Sequence, residues 1–508
     1  MTHPRTFFIV CVLLMSSGLS CPLFAEDYFG IQVLDRATGR GVPLVELTTV
    51  NGINYVTDSA GWVAFYEPGL MNQDVFFHVK SHGYEFPADG FGIRGRKVRT
   101  TPGTTATLQL TRKNIAERLY RITGEGIYRD SVLLNRPTPI EHPVLNAGVL
   151  GSDSVLCTPF QGKLYWFWGD TNLASYPLGL FHTPGATSPL PGPDTIPASQ
   201  GINLTYFTGE NHLARNTAVM PGEGPTWLSG LTVLKDSAGK EHLLAGYAKI
   251  KNLLTVYERG IVEFNPTTSS FEKRLTLPRD TPLYPDGHLC YFREDGMDYV
   301  YFARPFPDVR VKATLEDFLD VSRYETYTCL RRDPETKELV VNRSEDGRAQ
   351  YAWARETPAR DWHEEVALLK AGQLKEDDLH FQLRNVEDGQ RVIAHSGSVA
   401  WNEYRKRYVL ITMESMGSSG FGEIWYAEAP ELLGPWSPAR KIVTHENYTF
   451  YNPLQHPEFS EEDGRLIYFE ATYTHTFSSN PVPTPRYDYN QIMYRLDLSD
   501  QRLELSGQ

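Results

Sequence analysis

The side chains of this chain that could do chemistry are carboxylates that lie near the openings or strand ends of a repeated sequence unit. Four of them are candidates for catalysis: Asp153, Asp170, Glu223 and Asp286. Carboxylates that converge from separate elements can divide proton donation and proton acceptance between them, which is the basis of general acid–base catalysis. Each also has a structural interpretation, because Asp commonly ends strands or forms turns and Glu223 lies in a Gly- and Pro-containing loop.

A sequence pattern that returns after residue 150 would position these carboxylates. A polar opening and an apolar alternating run lead through a turn to a run of aromatic or apolar residues, as in 152–168, 396–411 and 456–469. Each copy predicts the inner hairpin of a four-stranded sheet, and a ring of such sheets is a β-propeller. Five openings are predicted, at residues 152–155, 227–233, 287–291, 396–400 and 455–459. Uneven spacing after residue 303 leaves a sixth, loop-rich blade as the alternative.

The amino-terminal residues 1–25 predict a targeting segment. Arg5 is followed by a short apolar run, which is typical of a secretory signal peptide cleaved after Ala25 and predicts a secreted or periplasmic protein. A lipoprotein signal with Cys21 as the lipidated residue is the alternative. No later segment is apolar enough to cross a membrane.

Residues 26–112 predict a β-sandwich, because short period-two segments alternate with Gly- and Asp-containing turns. The runs 33–41, 55–61 and 81–84 resemble the transthyretin-like, carboxypeptidase-regulatory-like module of many secreted bacterial proteins. That resemblance implies an accessory domain with no chemistry of its own.

The remaining chain divides into a connector and the repeats. Residues 113–148 predict a linker with a short helix at 115–120, where apolar residues have helical spacing. Residues 149–508 predict the propeller. The predicted fold class is therefore all-β, with an N-terminal β-sandwich followed by a five-bladed β-propeller.

Composition and charge exclude several classes of partner. The chain is 41% hydrophobic and 22% charged, as in soluble globular proteins. Its formal net charge of −13 becomes −14 without Arg5, so nucleic acid and anionic lipid are poor partners. The mature chain would keep Cys157, Cys290 and Cys329, which lack the close spacing of zinc or redox motifs. We predict a monomer without a cofactor or a metal.

Three short fragments resemble the five-bladed β-propeller glycoside hydrolases, which include arabinanases, β-xylosidases and, more distantly, invertase-like enzymes. The fragments are 223–225, 424–429 with 434–436, and 452–457. The resemblance implies three carboxylates in the channel: a general base, a general acid and a residue that tunes the acid. It implies Asp153 as the base, Glu223 as the acid and Asp286 as the tuning residue. The chain departs from the family's order of Asp, Asp, Glu, since this assignment gives Asp, Glu, Asp.

The resemblance assigns no role to the remaining candidate carboxylates. Asp170 follows a Trp-Gly pair at a strand end. Its side chain either faces the channel or only terminates the strand. Three more are held in reserve, each expected on the outer face of a strand: Glu325, Glu414 and Glu423.

Polar and aromatic side chains near the openings are candidates for binding a carbohydrate. They are Trp227, His288, His395, His456, Tyr473 and Arg486. The three histidines could converge on the channel axis and bind hydroxyl groups or help to hold a metal, although no tight ligand motif accompanies them. Aromatic rings stack on the apolar faces of sugars, with core packing as the alternative for each ring. Arg486 could pair with the carboxylate of an acidic sugar or with a surface acid.

Two functions of different classes follow from these patterns. The first is a secreted glycoside hydrolase that acts on a polysaccharide or oligosaccharide through channel carboxylates. The alternative is a non-catalytic propeller that binds carbohydrate or attaches to a surface. Release of a product from a glycan distinguishes the two.

Overall fold

Alternating apolar residues build the amino-terminal strands. The structure, a computed structural model, describes residues 27–252, 254–359, 362–484 and 486–505, so the predicted signal peptide lies outside the described residues. The first eight strands are β1 (Phe29–Asp35), β2 (Glu46–Thr49), β3 (Asn54–Val56), β4 (Trp62–Phe65), β5 (Asp74–Lys80), β6 (Tyr84–Glu85), β7 (Gly95–Arg99) and β8 (Thr105–Arg112). They form two sheets, with the orders β4-β1-β8-β6 and β3-β2-β5-β7. Val75, Phe77 and Val79 of β5 pack against Ile31 and Val33 of β1, which makes these sheets a β-sandwich.

The connector contains one strand and one short helix, β9 (Glu117–Arg121) and α1 (Arg129–Leu133). The predicted helix at 115–120 is wrong, because this segment forms β9. All five residues of β9 are buried, so the strand shows none of the period-two alternation by which a half-exposed strand is recognised. Burial of Glu117, Arg118 and Arg121 depends on polar partners that are distant in sequence.

The repeats begin with two four-stranded blades. Their strands are β10 (Val149–Ser152), β11 (Leu156–Phe160), β12 (Lys163–Phe167), β13 (Thr171–Leu173), β14 (Tyr176–Leu180), β15 (Gly185–Pro189), β16 (Thr205–Tyr206), β17 (Thr226–Lys235), β18 (Glu241–Lys251), β19 (Thr255–Asn265) and β20 (Ser270–Leu277). Blade 1 has the order β11-β12-β15-β16 and blade 2 the order β17-β18-β19-β20. Strands β10, β13 and β14 form a small separate sheet.

The next part of the chain adds a five-stranded blade and an insertion. The elements are β21 (His288–Glu294), β22 (Met297–Ala303), β23 (Val309–Lys312), α2 (Leu315–Leu319), β24 (Glu325–Thr328), β25 (Leu330–Arg332), β26 (Leu339–Val341), β27 (Ala352–Ala354), α3 (Trp362–Lys370), β28 (Leu383–Arg384) and β29 (Arg391–Val392). Blade 3 has the order β21-β22-β23-β24-β27. The pairs β25-β26 and β28-β29 are small hairpins, so the region that left room for a sixth blade is an insertion between blades 3 and 4.

Blades 4 and 5 complete a ring of five. Their strands are β30 (Ala394–Asn402), β31 (Arg407–Glu414), β32 (Glu423–Ala429), β33 (Ala439–Thr444), β34 (Thr449–Gln455), β35 (Leu466–Thr474) and β36 (Asn490–Asp497). Blade 4 has the order β30-β31-β32-β33, whereas blade 5 has the order β34-β35-β36-β9 and so takes its outer strand from the connector. Blade 5 packs on blade 1, where the backbone N–H of Ser154 donates to Thr472 Oγ1 (3.0 Å). The predicted fold class, a sandwich followed by a five-bladed propeller, is confirmed.

Four of the five predicted openings coincide with, or directly precede, the innermost strands β11, β17, β21 and β30. The fifth, at 455–459, is wrong: β34 begins at Thr449, and 457–459 form a short 3-10 turn after it. The cause is a bulge between Tyr451 and Leu454, where Asn452 has a φ of 53° and Pro453 follows. Such a pair is typical of a loop in a sequence pattern, although here it lies inside a strand.

The structure also describes the three cysteines and the helices of the chain. Cys157, Cys290 and Cys329 are free cysteines. Among the described residues, no helix has the length and apolar character that crossing a membrane requires.

The sandwich is joined to blade 5 through buried polar contacts. Glu117 of β9 accepts a hydrogen bond from Thr38 Oγ1 (2.9 Å) in the sandwich and pairs with Arg495 of β36 (2.6 Å). Arg118 donates to Ser81 Oγ (2.6 Å). Leu44 belongs to the same hydrophobic cluster as the core of blade 5. The two parts of the chain therefore share an interior.

Replacing Glu117 with alanine should weaken this junction. The Glu117 side chain is only 4% exposed, and its loss leaves Arg495 and Thr38 without a charged partner. Because hydrogen bonds to charged groups contribute about 1.5–3 kcal/mol, we expect the free energy of unfolding to fall by about 2 kcal/mol. Urea denaturation checks this, with Glu335→Ala, an exposed change, as the control. Equal unfolding midpoints for the two variants would contradict a role for Glu117 in the junction.

Candidate active site

One face of the propeller collects the starts of the innermost strands, and we call it the opening face. Antiparallel pairing brings the end of each second strand to the same face. Asp153 therefore lies just before β11 and Asp170 just after β12, while Asp286 lies just before β21 and Arg304 just after β22. Asp153, Asp170 and Asp286, all predicted as catalytic, thus belong to the same face.

Asp153 lies in a half-buried environment built by blades 1 and 5. Its Oδ2 accepts a hydrogen bond from the hydroxyl of Tyr451 (2.8 Å), and the hydroxyl of Tyr489 donates to the same carboxylate. Gly169 lies against Asp153 Oδ1, where a Cβ would overlap the carboxylate. The backbone N–H of Asp153 donates to the carbonyl of Asp170 (3.2 Å), so the two acids are held side by side.

The electrostatic environment of Asp153 favours its protonated form. Burial, followed by the negative charge of Asp170, raises the pKa of Asp153 to about 7, against the opposing effect of the tyrosine hydroxyls. Burial also raises the pKa of Asp170, while a hydrogen bond from Trp227 opposes the change. A pair of this kind retains a proton at a pH where isolated aspartates have lost theirs.

Strand β17 connects Asp170 to the third carboxylate. Trp227 Nε1 donates to Asp170 Oδ1 (3.1 Å), and Ser229 Oγ donates to Asp286 Oδ1 (2.7 Å). Trp227 and Ser229 are two residues apart in a strand, so their side chains point to the same side. Asp170 and Asp286 therefore flank the start of β17.

Asp286 differs from the other two acids because it has a cationic partner. Arg304 donates to Asp286 Oδ2 (2.7 Å). Although burial disfavours the guanidinium charge, the charges of Asp286 and Asp308 raise the pKa of Arg304. Among the described residues, Asp153 and Asp170 form no salt bridge, whereas Asp286 at the same face is ion-paired with Arg304.

Glu223 differs from this group in its exposure. It lies in the exposed loop before β17, and its backbone carbonyl accepts a hydrogen bond from the hydroxyl of Tyr257 (2.7 Å). Glu223 therefore also lies on the opening face, but it is exposed, whereas Asp153, Asp170 and Asp286 are half-buried.

The three predicted histidines lie at different depths. His395 is exposed on the opening face, with its ring 5.0 Å from that of Phe421. His456 is buried and bonds to Glu470 Oε1 through Nε2 (2.9 Å). Burial, followed by the proximity of His456, lowers the pKa of His288 to about 4.

His288 and His456 line a cavity of about 600 Å³ to which all five innermost strands contribute. This cavity is the central channel. Within the described ranges, no cluster of three or more His, Cys, Asp or Glu side chains has the arrangement of a metal site.

The remaining predicted residues have structural surroundings. Tyr473 is 2% exposed and packs against His445 and Tyr448 in the core, so the structure does not bring its ring to the channel mouth. Arg486 is exposed and stacks on the ring of Tyr487.

The reserve acids lie in blades 3 and 4. Glu325 pairs with Arg310 (3.0 Å). Glu414 accepts a hydrogen bond from Trp425 Nε1 (2.8 Å), and burial raises the pKa of both Glu414 and Glu423.

Sequence reasoning missed the partners of the acids. Tyr451 and Tyr489 contact Asp153 from blade 5, about 300 residues away, and no local pattern encodes that contact. Arg304 was detectable in principle, because it follows the second strand of blade 3 as Asp170 follows that of blade 1.

The geometry supports proton transfer. Asp153 and Asp170 are adjacent acids of different environments, and such pairs commonly divide into a proton donor and a carboxylate. The neighbouring hydroxyls of Tyr451 and Tyr489 can stabilise Asp153 once its proton has left.

Comparisons with known proteins find similar solved structures. One is the exo-β-1,3-galactanase from Phanerochaete chrysosporium with galactose, at 10% identity and a TM-score of 0.36 over 73% of this chain and 65% of that one. Another is an exo-1,5-α-L-arabinanase from a bovine ruminal metagenomic library, at 11% identity and 0.33 over 68% and 93%. A third is a GH43_1 enzyme from Xanthomonas citri complexed with xylotriose, at 12% identity and 0.32 over 68% and 86%.

The chain spans just under two thirds of the length of the galactanase. No family model matches the chain, and no curated protein sequence does.

Replacing Asp153 with asparagine should flatten the dependence of stability on pH. The folded protein binds the Asp153 proton up to about pH 7, whereas an unfolded aspartate releases it near pH 4, so this group's contribution is present at low pH and is lost as pH rises from about 4 to about 7. Urea midpoints measured between pH 4 and 8 should fall less steeply for Asp153→Asn than for the parent. The exposed change Asp298→Asn is the control. A slope unchanged by Asp153→Asn would contradict the elevated pKa.

Proposed function

We propose that this protein is a glycoside hydrolase that acts on a polysaccharide or oligosaccharide at the opening face. The single observation that carries the proposal is the adjacency of Asp153 and Asp170 at the channel mouth, with the pKa of Asp153 raised to about 7. Cleavage of a glycosidic bond requires one group to protonate the leaving oxygen and another to activate water or attack the sugar.

The environments of the acids suggest their roles. Asp153, which holds its proton up to about pH 7, is the proposed proton donor, and Asp170 is the proposed carboxylate that activates water or attacks the sugar. The sequence resemblance implied that Asp153 is the general base, whereas the structure supports the role of proton donor for it. Asp286, fixed by Ser229 and Arg304, is proposed to orient substrate hydroxyl groups beside the pair.

Two other parts of the chain are consistent with this function. The signal-like segment at 1–25 supports action outside the cytoplasm. The sandwich shares its interior with blade 5, which supports an accessory role in stabilising the propeller.

A binding propeller is the second candidate, and one observation favours it. Asp286 is engaged by Arg304 and Ser229, so one of the three acids at the mouth is already occupied. A site with ordered acids and exposed aromatics can retain a glycan without cleaving it.

Substitution of either member of the acid pair should strongly lower the rate of turnover. Asp153→Asn and Asp170→Asn remove the proton donor and the carboxylate, so we expect kcat to fall by about 10²–10⁴-fold for each, the range associated with general acid–base groups. Product release from arabinan, xylan, galactan and aryl glycosides, with protein starting at Glu26, measures this.

Three controls sharpen that experiment. Asp298→Asn is exposed and should retain the parent's activity. Glu223→Gln should also leave turnover within about twofold, and a large loss there would identify Glu223 as the acid instead. Retention of a glycan by the parent without any product would favour the binding propeller over the hydrolase.

A further inference from the structure

A line of aromatic rings runs along the opening face and ends at the acid pair. It consists of His395, Phe421, Phe477 and Tyr451, and we call it the aromatic shelf. We propose that the aromatic shelf is a subsite in which the exposed ring of Phe477 stacks on the apolar face of a sugar ring. The inference deepens the proposed function, because it names the side chains that would hold the sugar next to the reacting bond.

The spacing of the rings links the shelf to the chemistry. The ring centroids of His395 and Phe421 are 5.0 Å apart, those of Phe421 and Phe477 are 6.2 Å apart, and those of Phe477 and Tyr451 are 6.0 Å apart. Tyr451 donates its hydroxyl hydrogen to Asp153 at 2.8 Å. A sugar stacked on Phe477 would therefore be separated from Asp153 only by the side chain of Tyr451.

Phe477 combines an exposed aromatic ring with an unfavourable backbone conformation. The residue is 58% exposed and has a φ of 63°, in the left-handed region that bulky residues rarely adopt. Ser479, two residues later, also has a positive φ, of 60°. Such backbone conformations are energetically unfavourable and concentrate at ligand sites.

Hydrogen bonds hold the loop in this conformation. Thr449 Oγ1 donates to the carbonyl of Thr476, and Ser478 Oγ donates to the carbonyl of His475 (2.5 Å). Asn480 donates its backbone N–H to Ser478 Oγ (3.1 Å). The ring of Phe477 is thus presented to solvent by a loop ordered on both sides.

A glycine in the neighbouring blade completes the support. Gly420 lies against the carbonyl oxygen of Phe477, where a Cβ would overlap that oxygen. Phe421, the next residue, packs its ring on Phe477. Loops of blades 4 and 5 therefore fix one aromatic platform, and a platform ordered before binding loses little conformational entropy when a ligand arrives.

The chemistry around the shelf specifies the ligand class. The ring offers an apolar face, and Asp153 and Asp170 offer a hydrogen-bond donor and an acceptor within the same mouth. A ligand that satisfies both has an apolar face and hydroxyl groups at its edge, which describes a neutral sugar ring. An anionic ligand would be repelled by the negative charge of Asp170.

Substitution of Phe477 tests the subsite. With the best substrate of the glycan panel, Phe477→Ala should lower kcat/KM at least about fivefold, chiefly through a higher KM, because it removes the stacking surface. Phe477→Trp should keep kcat/KM within about twofold of the parent. Val482→Ala, an equally exposed apolar change in the same loop, is the matched control and should have no effect.

A stability measurement separates binding from a structural role. Asn adopts the left-handed region more readily than Phe, so Phe477→Asn should unfold at the parent's midpoint or higher while kcat/KM falls as in Phe477→Ala. A lower unfolding midpoint for Phe477→Asn together with unchanged KM would overturn the subsite in favour of a packing role.

Binding without turnover separates the failure of the subsite from that of the hydrolase. Arabinotriose, xylotriose and galactotriose are titrated by calorimetry into Asp153→Asn alone and into Asp153→Asn combined with Phe477→Ala. Loss of binding in the double variant supports the subsite, even where the parent cleaves nothing. Cleavage by the parent with equal binding by both variants overturns the subsite and leaves the hydrolase intact. Absence of any binding and any cleavage overturns both.

Discussion

Pairing of β9 with β36 is the contact on which the rest of the propeller depends. Arg121 pairs with Ile492 and Glu117 with Arg495, so residues near the start of the chain complete the last blade. Without that strand, blade 5 would present the free edge of β36, and the ring would be held only by packing. Closure fixes blade 5 against blade 1, where Asn452 donates to Ser154 Oγ at 2.6 Å. The surroundings of Asp153 follow from this fixed boundary, because Tyr451 belongs to blade 5.

Closure also explains why charged residues are buried at the junction with the sandwich. Glu117, Arg118 and Arg121 lie in the closing strand, and each finds partners in the sandwich or in blade 5. Replacing a buried ion pair with apolar residues is often neutral or stabilising, so these groups are weak evidence for extra stability. These charged residues instead fix the register of β9 against β36. A slip of β9 by one residue would leave a buried charge without its partner.

The sequence predicted the parts of the structure that local patterns encode. Hairpins such as β11-β12 and β30-β31 were recognisable because their apolar runs alternate and turns separate them. Strand β9 was taken for a helix, since burial on both faces removes the alternation. Among the site residues, Asp153 and Asp170 could be chosen from their positions at strand ends. Tyr473 could not be told from a pocket aromatic, because its burial depends on His445 and on the sandwich residue His82.

The channel contains two chemical environments, one at the opening face and one deeper inside, and they differ in their capacity for proton transfer. At the opening face, burial raises the pKa of Asp153 and Asp170, while Asp286 has Arg304 as its counter-charge. Deeper in the channel, burial lowers the pKa of His288 to about 4, so that ring is neutral at physiological pH. Two neighbouring acids with raised pKa values therefore lie at the opening face, where they can exchange a proton with a ligand. The exposed ring of Phe477, whose backbone has a positive φ, lies on that same face, so the proposed sugar subsite and the acid pair are neighbours.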